Sequence, residues 1–262
     1  MKLLKSEFRK VFYPKSFIWL TIGAMGLASL STAPAAYAIR RFAKLALPGH
    51  GLDNPDVVDG IYSKSISGYL FVMIIGALAM TGEFKHNTAV ATFLASPRRH
   101  HVMWAKMLVA AIVGVGVMLI STATGFGAAY LGLQQYSDAA APHSSVFIDT
   151  LGAAVVTGAV LAVIGVAIGT LIRSQTPAVV GIVIYMYLVE RLIIVFWPDG
   201  GKWLPTGLIT SMTNLKVSTN AGPMTIDTSA YLEPTPAIFM LIAYAAFFAL
   251  LALTTTLRRD ID

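Results

Sequence analysis

The sequence predicts an all-α polytopic membrane protein. Six helices cross the bilayer, an N-terminal helix lies at the interface, and a short cytoplasmic helix sits between spans two and three. Three observations carry this. Of 262 residues, 56% are hydrophobic and 12% are charged, with a mean hydropathy of +0.71. Soluble domains carry roughly 25% charged residues, so a soluble enzyme is excluded on surface polarity, and disorder on hydrophobicity. The apolar residues fall in six continuous runs, each about as long as a membrane helix needs. The few charges lie almost entirely between those runs.

The chain reads as one transmembrane domain, 1–262. It opens on a basic, amphipathic stretch, Met1 to Pro14. Leu4, Phe8, Val11 and Phe12 share a helical face, while Lys2, Lys5 and Arg9 lie elsewhere. This suits a helix at the cytoplasmic interface, its cations toward anionic lipid. The same cations also serve as a charged flank that fixes orientation, and the two readings are compatible. The spans are expected at 17–39, 66–82, 107–133, 150–172, 177–197 and 236–257. The runs do not alternate, which excludes a β-barrel. Ala36-Tyr37-Ala38 resembles a leader cleavage site, but the basic region before it is long and the apolar run is long enough to span.

Charge sets orientation. With both termini inside, the inner segments hold Lys2, Lys5, Arg9, Lys10, Lys15, Lys85, Arg98, Arg99, Lys106, Arg173, Arg258 and Arg259, against Glu7, Glu83, Asp260 and Asp262. The outer segments hold half as many cations (Arg40, Arg41, Lys44, Lys64, Lys202, Lys216) and most of the carboxylates. The bias places the termini in the cytoplasm. It also accounts for the net charge of +6 without a nucleic-acid partner.

The outer loop 40–65 carries Pro48, Gly49, Gly51, Asn54 and Pro55 and reads as turns. In the last outer segment, 203–215 is semi-apolar. It reads either as a short helix dipping into the outer leaflet or as an exposed loop with a Trp anchor. In the fourth span, Gly158, Ala162, Gly165 and Gly169 line one face for close helix contact, inside the bundle or at a dimer seam. Glu190 and Arg191 are the only full charges expected within a span, where charge is costly. Glu190 reads as part of a translocation path or gate, or as a structural partner of neighbouring helices. Arg191, about 100° round the helix, reads as snorkelling outward.

Between spans two and three runs GEFKHNTAVATFLASPRRHHVMWAKML. Asn87 or Thr88 can cap a short helix whose apolar face is Val90, Phe93 and Leu94, stopped at Pro97. No phosphate loop, HExxH zinc site or GxSxG elbow occurs. His100 and His101 lack further ligands at suitable spacing, and no cofactor is expected on the chain itself.

This segment resembles the corresponding stretch in permease subunits of type-2 ABC exporters, at Glu83, Phe84, Lys85, Thr88, Pro97, Arg98 and Lys106. Asn87 stands where that family usually has Gly. Leu188-Val189-Glu190 and Trp203-Leu204-Pro205 are similar to its fifth span and following outer segment. The resemblance implies two permease copies, identical or related, and two P-loop ATPase subunits that bind ATP and Mg. It makes the 88–96 helix a coupling helix in the ATPase groove, with Glu83, Phe84, Thr88, Val90, Phe93, Leu94, Pro97, Arg98 and Arg99 at the contact. The expected function is export of a drug, antibiotic or lipid across the plasma (inner) membrane. A proton-coupled carrier or an intramembrane enzyme using Glu190 are the alternatives.

Overall fold

The computed structural model describes residues 2–42, 51–85, 99–214, 218–219, 226–227 and 231–258. They are helical almost throughout. A two-residue antiparallel pair, Ser218–Thr219 with Ile226–Asp227, is the only strand pairing among them. Among the described residues, six helices are long and apolar enough to cross a membrane.

The first helix, α1 (Lys2–Phe12), lays Leu4, Phe8 and Val11 against the core, while Phe12 is half exposed. Pro14 separates it from α2 (Lys15–Phe42), whose 28 residues reach about 42 Å at 1.5 Å per residue.

The expected outer loop contains a helix instead. In α3 (Pro55–Ser63), the Asn54 side chain accepts the Asp56 N–H at 2.9 Å and Pro55 occupies the first helical turn. An Asn cap followed by Pro is a helix start, which the turn residues around it obscured. A 3₁₀ turn, Lys64–Gly68, joins α3 to α4 (Tyr69–Lys85). The second membrane helix is therefore the composite Pro55–Lys85, 31 residues long, and not the short run 66–82.

Next come α5 (Arg99–Leu133) and α6 (Ser144–Ile172). Arg173 ends α6 in a left-handed cap at φ 57°, its N–H on the Gly169 carbonyl. The fifth membrane helix is composite: α7 (Gln175–Ile184), a π turn at Tyr185–Val189, and α8 (Glu190–Phe196). Two short helices follow, α9 (Pro198–Gly201) and α10 (Pro205–Met212), and α11 (Pro234–Arg258) closes the bundle.

The centre of the bundle is α6, which packs on α4, α5, α10 and α11. Its small-residue face explains how. A Cβ on Gly165 would overlap the Met73 carbonyl, and one on Gly158 would lie 2.6 Å from the Gly114 carbonyl. The glycine stripe thus seats α6 on α4 and α5 inside one chain, as small residues allow between membrane helices. The semi-apolar segment 203–215 is a helix over α10, and Leu208, Ile209 and Met212 are buried. In their most apolar 18-residue stretches, α2 and the α7–α8 span are each 17% buried, against 61% for α6.

Candidate functional site

Two places in the bundle hold buried charge. The first lies at the α1 end. Glu7 and Lys10 come from α1, Glu83 from the last turn of α4, and Lys106 from two turns into α5. Lys106 Nζ donates to Glu7 Oε2 at 2.6 Å and to Glu83 Oε1 at 3.0 Å. Lys10 Nζ donates to Glu7 Oε1 at 2.8 Å and to Glu83 Oε1 at 2.7 Å. Glu7, Glu83 and Lys106 are 1%, 5% and 3% exposed. A buried lone ion would be expelled or neutralised. Here two carboxylates and two ammonium groups cancel, and each charge has a close opposite neighbour.

Burial pushes the Glu7 carboxyl up, but Lys106 and Lys10 outweigh it and hold the group below its ordinary 4.5. Burial pushes the Lys10 ammonium down, and its bonds to Glu7 and Glu83 outweigh that and hold it above its ordinary 10.5.

The cluster brackets the expected coupling segment, since Glu83 and Lys106 stand just before and just after it in sequence. Thr88, Val90, Phe93, Leu94, Pro97 and Arg98 lie outside the described residues. Arg99 opens α5, and only its backbone is described. Phe84 is half buried, with the Arg173 guanidinium 5.7 Å from its ring centre, an arrangement that favours cation–π attraction. Of the residues expected to meet an ATPase, Glu83 is thus turned inward onto α1 and α5.

Glu7 and Lys10 did not emerge from the sequence as site residues. The signal was present: Leu4, Glu7, Phe8 and Val11 follow the i, i+3, i+4, i+7 spacing of one buried stripe. A carboxylate inside an apolar stripe calls for a buried cation.

The second place is Glu190, the first residue of α8. It is 0% exposed. Thr206, in the first turn of α10, donates its hydroxyl to Glu190 Oε2. Oε1 is buried with no hydrogen-bond partner among the described residues. Glu190 therefore joins α8 to α10 and lines no open passage in this conformation. Arg191, about 100° round the helix from it, is exposed, with no carboxylate partner among the described residues.

At the end of the bundle opposite α1, charged side chains fasten the loops. Both oxygens of Asp59 are engaged by His143, one by its backbone N–H at 2.9 Å and one against its Nδ1 at 2.7 Å. Arg40 bonds Asp138 at 2.7 Å and lies over the Tyr136 ring. Asp56, Asp59 and His143 place possible ligand atoms within 4.8 Å of one another. The Asp59–His143 contacts already account for that geometry as a clasp between α3 and the start of α6.

No curated protein matches the sequence. The family described as ABC-2 family transporter protein matches residues 3–189, from α1 to the π turn and more than two thirds of the chain. With six membrane helices, an N-terminal helix docked on the bundle and a match of that length, the chain belongs to the ABC-2 transporter family as a multi-pass membrane permease.

Proposed function

We propose that the chain is the permease subunit of an ATP-driven exporter in the plasma (inner) membrane, with no catalysis of its own. Two copies, identical or related, would pair with two P-loop ATPase subunits, which bind the ATP and Mg. The substrate class is amphipathic or hydrophobic: a drug, an antibiotic or a lipid.

The observation that carries this reading is the ion cluster, whose Glu83 and Lys106 flank the segment 86–98. An ATPase that pulls on that segment pulls on both residues, and through them on Glu7 and Lys10 of α1. One displacement at the cytoplasmic surface then moves three helices together. A chain with such a lever and no phosphate loop takes its energy from a partner.

The exposed face of α7–α8 supports pairing. A guanidinium facing hydrocarbon is costly, and Arg191 stands on that face, where a second permease would cover it. The test is co-purification of the intact chain with a P-loop ATPase. Phe93→Asp with Leu94→Asp should abolish capture and ATP-driven transport while leaving the isolated chain folded. Capture that survives the double substitution removes this segment as the coupling site.

A second reading rests on Glu190. Its buried, unpartnered oxygen suits a proton site, and transport driven by a pH gradient in vesicles without ATP would favour a proton-coupled carrier.

A further inference from the structure

A cavity of about 1380 Å³ opens at the α1 end, between α1, the start of α2 and the last turns of α4. Its two halves differ in chemistry. Phe17, Leu20, Ile75 and Leu78 supply the apolar lining, further along α2 and α4 into the bundle than Lys15 and Lys85. Lys5, Arg9, Lys15 and Lys85 stand around the other half, all exposed. None of these four has a carboxylate partner among the described residues. Lys10 and Glu83 also line the cavity, but they are bonded to each other at 2.7 Å.

Four cations without counter-charge, held in one rim, repel one another unless an anion joins them. The chain's own neighbouring segment cannot supply it. Residues 86–98 contain no Asp or Glu and add Arg98 and His86. The volume exceeds the roughly 300–1,000 Å³ of ordinary small-molecule pockets.

We infer that this cavity is a binding site for one anionic phospholipid of the cytoplasmic leaflet. Its phosphate sits among Lys5, Arg9, Lys15 and Lys85, and its acyl chain lies on Phe17, Leu20, Ile75 and Leu78. The lipid would bridge α1 to α2 and α4 on the side away from Lys106. It would thus hold the interfacial helix in the position from which Glu7 reaches the ion cluster. The inference is independent of whether an ATPase binds, because it uses only the cavity and the cytoplasmic placement of α1.

The test is native mass spectrometry of the full-length chain in detergent, titrated with phosphatidylglycerol or phosphatidylcholine of the same acyl length. One phosphatidylglycerol should be retained per chain, and phosphatidylcholine should be retained far less. Arg9→Glu with Lys15→Glu should weaken retention, by roughly fivefold for each cation removed and further for each charge added. Leu78→Trp, which fills the apolar wall and alters no charge, should also weaken it. Thermal unfolding in lipid-free detergent should be unchanged in both variants. If they unfold, Lys15→Gln alone, placed in the exposed start of α2, takes their place. Equal retention of the two lipids overturns the site. Loss with the charge variants but full retention by Leu78→Trp also overturns it, because that is adsorption to a basic surface and not a built cavity.

Discussion

The two buried carboxylate sites meet the same physical difficulty in opposite ways. At the α1 end, Glu7 and Glu83 are surrounded by Lys10 and Lys106, with four N–O contacts between 2.6 and 3.0 Å. At the α8–α10 junction, Glu190 has one hydroxyl partner, and one of its oxygens has none. The family match covers all four residues of the first site and stops one residue short of Glu190. A network of opposite charges rigidifies the elements that contribute to it. A carboxyl with one neutral partner is a weaker tie, and its partner helix can leave without exposing an opposite charge. The first site ties three helices through opposite charges, and the second ties two through a single neutral donor.

Removing Lys106 is the strongest test of that contrast. Lys106→Met should leave two buried carboxylates sharing only Lys10, and breaking a buried ion pair costs about 3–5 kcal/mol. A large fall in unfolding temperature and in folded yield is expected. Adding Glu7→Gln should recover part of it, because one uncompensated charge is withdrawn. If Lys106→Met alone unfolds at the wild-type temperature, these ion pairs do not hold the helices together.

The second site should respond less. Thr206→Val removes the hydroxyl that bonds Glu190 and keeps the Thr206 backbone donor, so the cost should lie at the low end of the about 1–3 kcal/mol for a buried group that loses a partner. Glu190→Gln should stay within about 1 kcal/mol of wild type, because a neutral amide still accepts from Thr206 and carries no charge to bury. A Glu190→Gln chain that unfolds as early as the Lys106→Met chain would erase the difference between the sites. If the Gln variant also transports normally, Glu190 is a structural tie and not part of a gate.

The smallest effect is pH. Glu7 sits below its ordinary 4.5, so its contribution to stability is fully present above 4.5 and is lost as pH falls through the lowered value. Lys10 sits above its ordinary 10.5, so its contribution is fully present below 10.5 and is lost as pH rises through the raised value. These two groups should therefore leave unfolding temperature level between those limits. A slope near neutrality that Glu7→Gln abolishes would contradict the assignment.

Much of this was legible in the residues. The six apolar runs became six membrane helices because nothing except an intramolecularly bonded helix satisfies the backbone there. The charges at Glu190 and Arg191 stood out because they interrupt such a run. Glu83 and Lys106 were visible too, but as flanking charges sorted by side of the membrane. That sorting treats every charge near a helix end as solvated. It missed the cluster, in which Lys106 meets Glu7 across 99 residues of sequence and Lys10 meets Glu83 across 73, distances at which periodicity carries no information. Thr206 was hidden for the same reason, since a hydroxyl becomes informative only when the carboxylate it meets is known. Helix α3 was local and readable, through Asn54 and Pro55, yet the surrounding turn residues outvoted it.

The π turn ahead of Glu190 has a further consequence. The Glu190 N–H bonds the Tyr185 carbonyl, five residues back instead of four. The span thus contains a dislocation, one extra residue wound into an otherwise continuous spiral. Its place along the chain sets the phase of everything that follows. Were it to glide past residue 190 toward Phe196, the segment in between would turn by about 100°, swinging Glu190 off Thr206 with both ends of the span left where they are. In such a helix, the segment after the wide turn can rotate while the span as a whole stays in place. The same glide would advance that segment by about 1.5 Å along the axis, so the wide turn couples a large rotation to a very small shift in depth.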